Sequence, residues 1–250
     1  RTMGELLRHF GNSCCPADTM LDTKTETLPN GHRLRMARKG HGEPIVFLHG
    51  YPDNLQIWCE LAARLSDAHE TIAFDWPGMG YSDPWRGGTA PSHMSDRLLA
   101  LLDFWNINTA TIVGADMGGQ PALAFAARHP GRVRQLVVMN CLAFPEEKTS
   151  WEISILRRFK WNQVILRRMP NIIFGRAERT FLPVRTHLPQ DLREDMWKAF
   201  EQKSVREFIV RMCSGYQGTL GQLSSLYAQI TCPTLILWGE ADKHFPPIHA

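Results

Sequence analysis

The segment Thr111-Ile-Val-Gly-Ala-Asp-Met-Gly-Gly-Gln120 constrains this chain more than any other. Its short apolar run predicts a strand buried on both faces, and that strand passes directly into two glycines that bracket Asp116. A strand that turns into a helix over so few residues is strained at the turn. The positions two residues to either side of its centre then come too close to carry side chains, a condition that Gly114 and Gly118 meet. Gly119 lets the next helix pack closely on the sheet, and Pro121 falls in that helix's first turn, where a missing N–H costs nothing. A plain glycine-rich turn with Asp116 as a helix cap would use the same residues.

Strand and helix signals alternate on both sides of this turn. His32–Arg38 alternates apolar and polar residues as a half-exposed strand does, and Ile45–Leu48 and Ile72–Phe74 read as buried strands. Trp58–Leu65, His93–Trp105 and Ala122–Arg128 carry apolar residues at helical spacing, and Leu136–Met139 and Thr234–Trp238 return to strand character. Repeated βα units predict an α/β fold: a mostly parallel sheet covered by helices on both sides. From Phe144-Pro145 to about Leu226 no buried strand is visible, and the residues read as helical. The expected organisation is an N-terminal tail at 1–20, an α/β core at 21–144 and 229–250, and an inserted helical cap at 145–228.

Composition excludes several classes. Of 250 residues 44% are hydrophobic and 21% charged, the balance of a chain with a real core rather than a disordered one. A net charge of +3 and ten scattered histidines give no basic surface for nucleic acid. The N-terminus has no apolar run of signal-peptide or membrane-span length, so neither membrane nor nucleic acid is expected as a partner, and the expected location is cytoplasmic. The six cysteines follow no metal or disulfide spacing. Cys59, Cys141 and Cys213 read as reduced core residues, and Cys14 and Cys15 as part of the tail. No metal or cofactor is expected, and the sequence does not set the oligomeric state.

Four motifs together resemble a known family: HGYPDN at His49–Asn54, DWPGMGYSD at Asp75–Asp83, GADMGGQ at Gly114–Gln120 and LILWGEAD at Leu235–Asp242. They are similar to α/β-hydrolases that cleave at saturated carbon: epoxide hydrolases, haloalkane dehalogenases and fluoroacetate dehalogenases. The resemblance runs from about Leu28 to His249. It implies the α/β-hydrolase fold, with Asp116 at the nucleophile elbow and the N–H groups of Tyr51 and Met117 as the oxyanion hole. Aspartate suits such chemistry, because a carboxylate can displace a leaving group at sp³ carbon and form an ester that water then cleaves. The resemblance also implies a histidine base oriented by an acid. Asn140 cannot carry that charge, so Asp242 is the expected acid, with Glu240 the alternative. Only His244 and His249 follow Asp242, too near it to arise from the next strand's loop, so the base is expected beyond Ala250.

Departures from the three families narrow the substrate. Met117 and Tyr51 replace the Trp and Asn that cradle halide in haloalkane dehalogenases, and Met117 replaces the Arg that holds fluoroacetate. Tyr51 matches the aromatic residue of epoxide hydrolases, and Gly215-Tyr216-Gln217 resembles one of their cap tyrosines. Tyr216 is thus the expected proton donor, although a cap-packing role fits it too; Trp161 stands where a second tyrosine would. His49, Pro52 and Trp161 are expected at the substrate pocket, with His49 mainly holding its loop. The basic residues Arg157, Arg158, Lys160, Arg167 and Arg168 read as solvated helix faces. Hydrolysis of a small, fairly apolar epoxide to a diol is the expected function. A dehalogenase-type hydrolase and a non-catalytic binding protein of the same fold are the alternatives.

Overall fold

Strands Lys24–Thr27 (β1), Arg33–Lys39 (β2), Glu43–Leu48 (β3), His69–Phe74 (β4), Ala110–Ala115 (β5), Val133–Met139 (β6) and Thr234–Leu237 (β7) form one sheet in the order β1-β2-β4-β3-β5-β6-β7. The computed structural model describes residues 20–144, 146, 148–151, 153–154, 160–181 and 188–250. Expectations for Cys14, Cys15, Arg157 and Arg158 lie outside those residues, as do the side chains of Lys160, Trp161 and Tyr216. β1 and β2 run antiparallel to their neighbours, and β4, β3, β5, β6 and β7 are mutually parallel.

Alternation along the central strands builds two apolar layers. Val46 and Leu48 of β3, with Ile72 and Phe74 of β4, pack in one; Ile45, Phe47 and Ala73 pack in the other. Helices Pro91–Phe104 (α2) and Gly119–Arg128 (α3) cover the first layer with Met94, Leu98, Leu101 and Phe125. Helix Cys59–Leu65 (α1) covers the second with Ala62, beside Trp58. Cys59, Cys141 and Cys213 are buried in the core.

Two strands differ from the expectation. Lys24-Thr-Glu-Thr27 has no apolar alternation and was not legible as a strand; pairing with β2 alone makes it one. β2 is not half-exposed: Leu34, Arg35, Met36 and Ala37 are all buried. The covering element comes from far along the chain.

Between β6 and β7 the chain passes through helices Lys160–Arg168 (α4), Pro170–Phe181 (α5), Gln190–Phe200 (α6) and Lys203–Ser224 (α7). Asp195 of α6 accepts both guanidinium nitrogens of Arg35 at 3.0 Å and the Asn54 amide at 2.7 Å. Tyr51 packs on Phe200 at 5.9 Å, and Gln202 donates to the Gly80 carbonyl. Arg168 is exposed and Arg167 pairs with Glu207 at 3.0 Å. β7 is an edge strand whose Leu235, Ile236 and Leu237 are 52%, 48% and 42% exposed. Among the described residues no helix is long and apolar enough to cross a membrane.

Candidate active site

Register brings the site together. Leu48 pairs with Gly114, Ala115 with Met139, and Met139 with Leu237, so the segments after β3, β5, β6 and β7 leave the sheet at one edge. In parallel α/β sheets this carboxyl edge is where loops converge on a ligand.

The elbow has the geometry its glycines demand. β5 ends at Ala115, Asp116–Gly118 forms a single 3-10 turn, and α3 begins at Gly119. Asp116 has φ +50°, left-handed backbone that L-residues rarely adopt. A Cβ at Gly114 would stand 2.5 Å from the Gly118 carbonyl oxygen, and one at Gly118 would stand 2.2 Å from the Leu48 oxygen. Neither position admits a side chain.

The Asp116 carboxylate accepts the Tyr51 N–H at 2.8 Å and the Met117 N–H. The two amides expected as an oxyanion hole therefore converge on this carboxyl. Desolvation pushes Asp116 up to about 6; the two N–H groups oppose that rise and the charge of Asp242 adds to it. Gly50 permits the close approach, since a Cβ there would lie 2.4 Å from the Asp116 Cβ.

Asp242 lies after β7, where its Oδ2 accepts from the Asn140 amide and its Oδ1 from the N–H groups of His244 and Phe245 at 2.7 and 3.0 Å. The two candidate strand ends thus meet, and Asn140, with φ +37°, is a partner of the acid rather than a bystander. Glu240 is exposed. His244 directs Nδ1 to Ser150 Oγ at 2.9 Å; His249 is held by the Phe144 N–H and the Lys148 carbonyl.

A cavity of about 220 Å³ opens above Asp116. That is smaller than the roughly 300–1,000 Å³ usual for drug-sized ligands, so a small substrate fits it. The core contributes Tyr51, Pro52, Asp53 and Ile57; α5 contributes Phe174 and Glu178, and α6 Met196. His49 does not line it. Fully buried, it joins Nδ1 to the Gly50 carbonyl and accepts the Trp76 N–H at Nε2, and burial drives its pKa down to about 4. The placement of His49 at the pocket is thereby corrected: its imidazole holds the loop from behind. Tyr216 lies on α7 and Trp161 on α4 by backbone.

Sequence reasoning missed Asp53, Phe174, Glu178 and Met196. Asp53 stood inside the HGYPDN motif without a role, and Phe174 and Glu178 are one helical turn apart on the cavity side of α5. Among the described residues no group of three or more His, Cys, Asp or Glu is placed to hold a metal ion.

Residues 43–250 match the model of the α/β hydrolase fold family. The cis-3-alkyl-4-alkyloxetan-2-one decarboxylase of Shewanella oneidensis is 38% identical over 91% of this chain and 78% of its own length. A candidate acyltransferase from Salmonella enterica superposes with a TM-score of 0.80 at 22% identity, over 92% of this chain and 82% of that one. A candidate epoxide hydrolase from Pseudomonas aeruginosa gives 0.75 at 20%, over 93% and 85%. At such identities the solved structures speak for the fold alone. The matched family model and the 38% relative establish that this chain belongs to the α/β hydrolase fold family.

Proposed function

We propose that the protein is a hydrolase that opens small epoxides to diols through an ester on Asp116. One observation carries the reading: a carboxylate on a strained turn, gripped by two backbone N–H groups and paired with no cation among the described residues, faces a small, mainly apolar cavity. Such a carboxylate can attack a ring carbon, forming a C–O bond as the ring C–O bond breaks. When water attacks the ester carbonyl, the same N–H groups stabilise the oxyanion. Asp242, with Asn140, would orient the hydrolytic base, and Tyr216 is the tyrosine that the family resemblance offers as proton donor.

The test is a single turnover in ¹⁸O-water. Label should enter the Asp116 carboxyl, and label confined to the diol would sink the ester mechanism.

The Shewanella relative favours a second reading, a β-lactone as substrate. Attack of Asp116 at the sp³ carbon bearing the ring oxygen would free a carboxylate. Loss of carbon dioxide would then expel Asp116 and leave an alkene. That route consumes no water and restores the nucleophile unaided. Incubation with a cis-3,4-dialkyloxetan-2-one and, separately, with styrene oxide distinguishes them: alkene and carbon dioxide from the first, diol from the second.

A further inference from the structure

Asp53 is the carboxyl in the cavity wall that has no partner. Glu178 is held by Arg193 Nε at 2.8 and 3.0 Å, and Asp116 holds two backbone N–H groups. Among the described residues nothing donates a hydrogen bond to the Asp53 carboxyl and no cation pairs with it. It stands two residues beyond Tyr51, whose N–H binds Asp116, and it lines the cavity that Asp116 faces.

We infer that Asp53 is the acid that protonates the departing ring oxygen when Asp116 opens an epoxide, an inference that rests on the epoxide reading above. Burial and the negative charge of Asp116 push Asp53 up to about 7, whereas Asp116 itself lies at about 6. Two like charges on one cavity form in separate steps, the first opposing the second. One carboxyl therefore ionises first and attacks, while the other keeps its proton for the leaving oxygen. The remaining titratable groups facing the cavity do not offset this: Glu178 is neutralised by Arg193, and burial holds the Tyr51 phenol well above its ordinary value.

The step balances. The Asp116 oxygen bonds to carbon, the ring C–O pair moves onto oxygen, and that oxygen takes the Asp53 proton. Ester hydrolysis by water frees the diol and Asp116, and the proton left over returns to Asp53. A β-lactone would leave as a carboxylate and need no such proton, so the role belongs to the epoxide route.

The experiment follows alkylation of Asp116 by styrene oxide in single turnovers, by quenched intact-mass measurement across about pH 5 to 9. In the wild-type protein the rate should rise as Asp116 ionises near 6 and fall as Asp53 ionises near 7. Asp53→Asn should alkylate about two to four powers of ten more slowly and lose the falling limb, as general-acid assistance of this size requires. Tyr216→Phe serves as the comparison. A falling limb that survives Asp53→Asn but vanishes in Tyr216→Phe would overturn the inference.

Titration of carboxyl-¹³C aspartate in the unreacted wild-type protein gives a readout independent of turnover and of how the variants fold. Asp53 should titrate near 7, and lower in Asp116→Asn, where its neighbouring charge is gone. An Asp53 that titrates near 4 would also overturn it, even if Asp116 is alkylated normally. Failure of the wild-type protein to form any adduct, with Asp53 still titrating near 7, would instead remove the epoxide reading and the role of Asp53 with it.

Discussion

Asp75, after β4, and Asp116, after β5, are carboxylates at the same end of one sheet. Burial raises both to about 6, and each accepts two backbone N–H groups: Leu55 and Tyr81 for Asp75, Tyr51 and Met117 for Asp116. They part at the remaining lone pairs. Asp75 has no exposed surface and faces the Arg35 guanidinium at 3.5 Å. Asp116 faces a cavity and has no cation beside it among the described residues. Equal donors and equally raised carboxyls therefore produce a strut in one place and a reactive group in the other. The difference lies in what the protein withholds: a countercharge and the packing atoms on one side.

The largest effect should separate the two at once. Asp116→Asn should cost at least about four powers of ten in turnover, the scale of removing a nucleophile. The same variant should gain stability. The folded pKa of Asp116 lies above the ordinary 3.8, so the native state binds that proton more tightly than the unfolded chain does. Its contribution is fully present below about pH 4 and is lost as pH rises through about 6. Near pH 8 the variant should therefore exceed the wild type by up to about 3 kcal/mol in urea unfolding, with the gap closing below pH 4. A variant no more stable than wild type near pH 8 would mean that the carboxylate has a compensating partner after all.

Asp75→Asn should gain less or lose. The same relief of a raised carboxyl near pH 8 is set against an amide in place of the carboxylate that meets the Tyr81 N–H and the Arg35 guanidinium, a cost of about 3 kcal/mol on the scale of broken buried pairs. Catalytic constants of the fraction that folds should change little. If Asp75→Asn abolished turnover with stability intact, the division between strut and nucleophile would fail.

How far the sequence exposed this division follows from the range of each contact. The elbow was legible because part of its constraint is local: Gly114 lies against the Gly118 carbonyl four residues on, although Gly118 itself yields to Leu48. Tyr51 and Met117 could be named because they occupy motif positions around that turn. The parallel order of the core followed from alternating apolar runs. Arg35 was not legible as buried, since its cover, Asp195, lies 160 residues away and belongs to no local pattern. β1 was missed for the same reason: partner, not composition, makes it a strand. Asp53 was read as one letter of a motif, because nothing local shows that its carboxyl lacks a donor. His49 carried a pocket assignment that only its contacts with Gly50 and Trp76 could correct.

Asp195→Ala probes the contact that ties α6 to this framework. The pair is mostly buried, with side-chain exposures of 10% and 20%, and its charge-assisted fork should contribute about 1–3 kcal/mol. Met196, the next residue, lines the cavity, so a loosened α6 should raise KM more than it lowers kcat. Unfolding and steady-state kinetics on one preparation separate those terms. An unchanged KM alongside lost stability would confine Asp195 to holding the fold.

Tyr51→Phe should have the smallest effect on stability, and its sign is informative. The Tyr51 side chain is buried beside Phe200, and its hydroxyl has no hydrogen-bond partner among the described residues. Leaving a buried hydroxyl unpaired costs roughly 1–3 kcal/mol, so removing it should leave the protein equally stable or up to about 1 kcal/mol more so. The backbone N–H that binds Asp116 is untouched by the substitution. A falling alkylation rate in a protein of equal or greater stability would mean that the hydroxyl is kept for the substrate, as a second donor near the leaving oxygen. An unchanged rate would leave Asp53 as the acid and the Tyr51 ring as packing for α6. A loss of more than about 1 kcal/mol would show that the hydroxyl is paired in solution and is held by the fold rather than kept for the substrate.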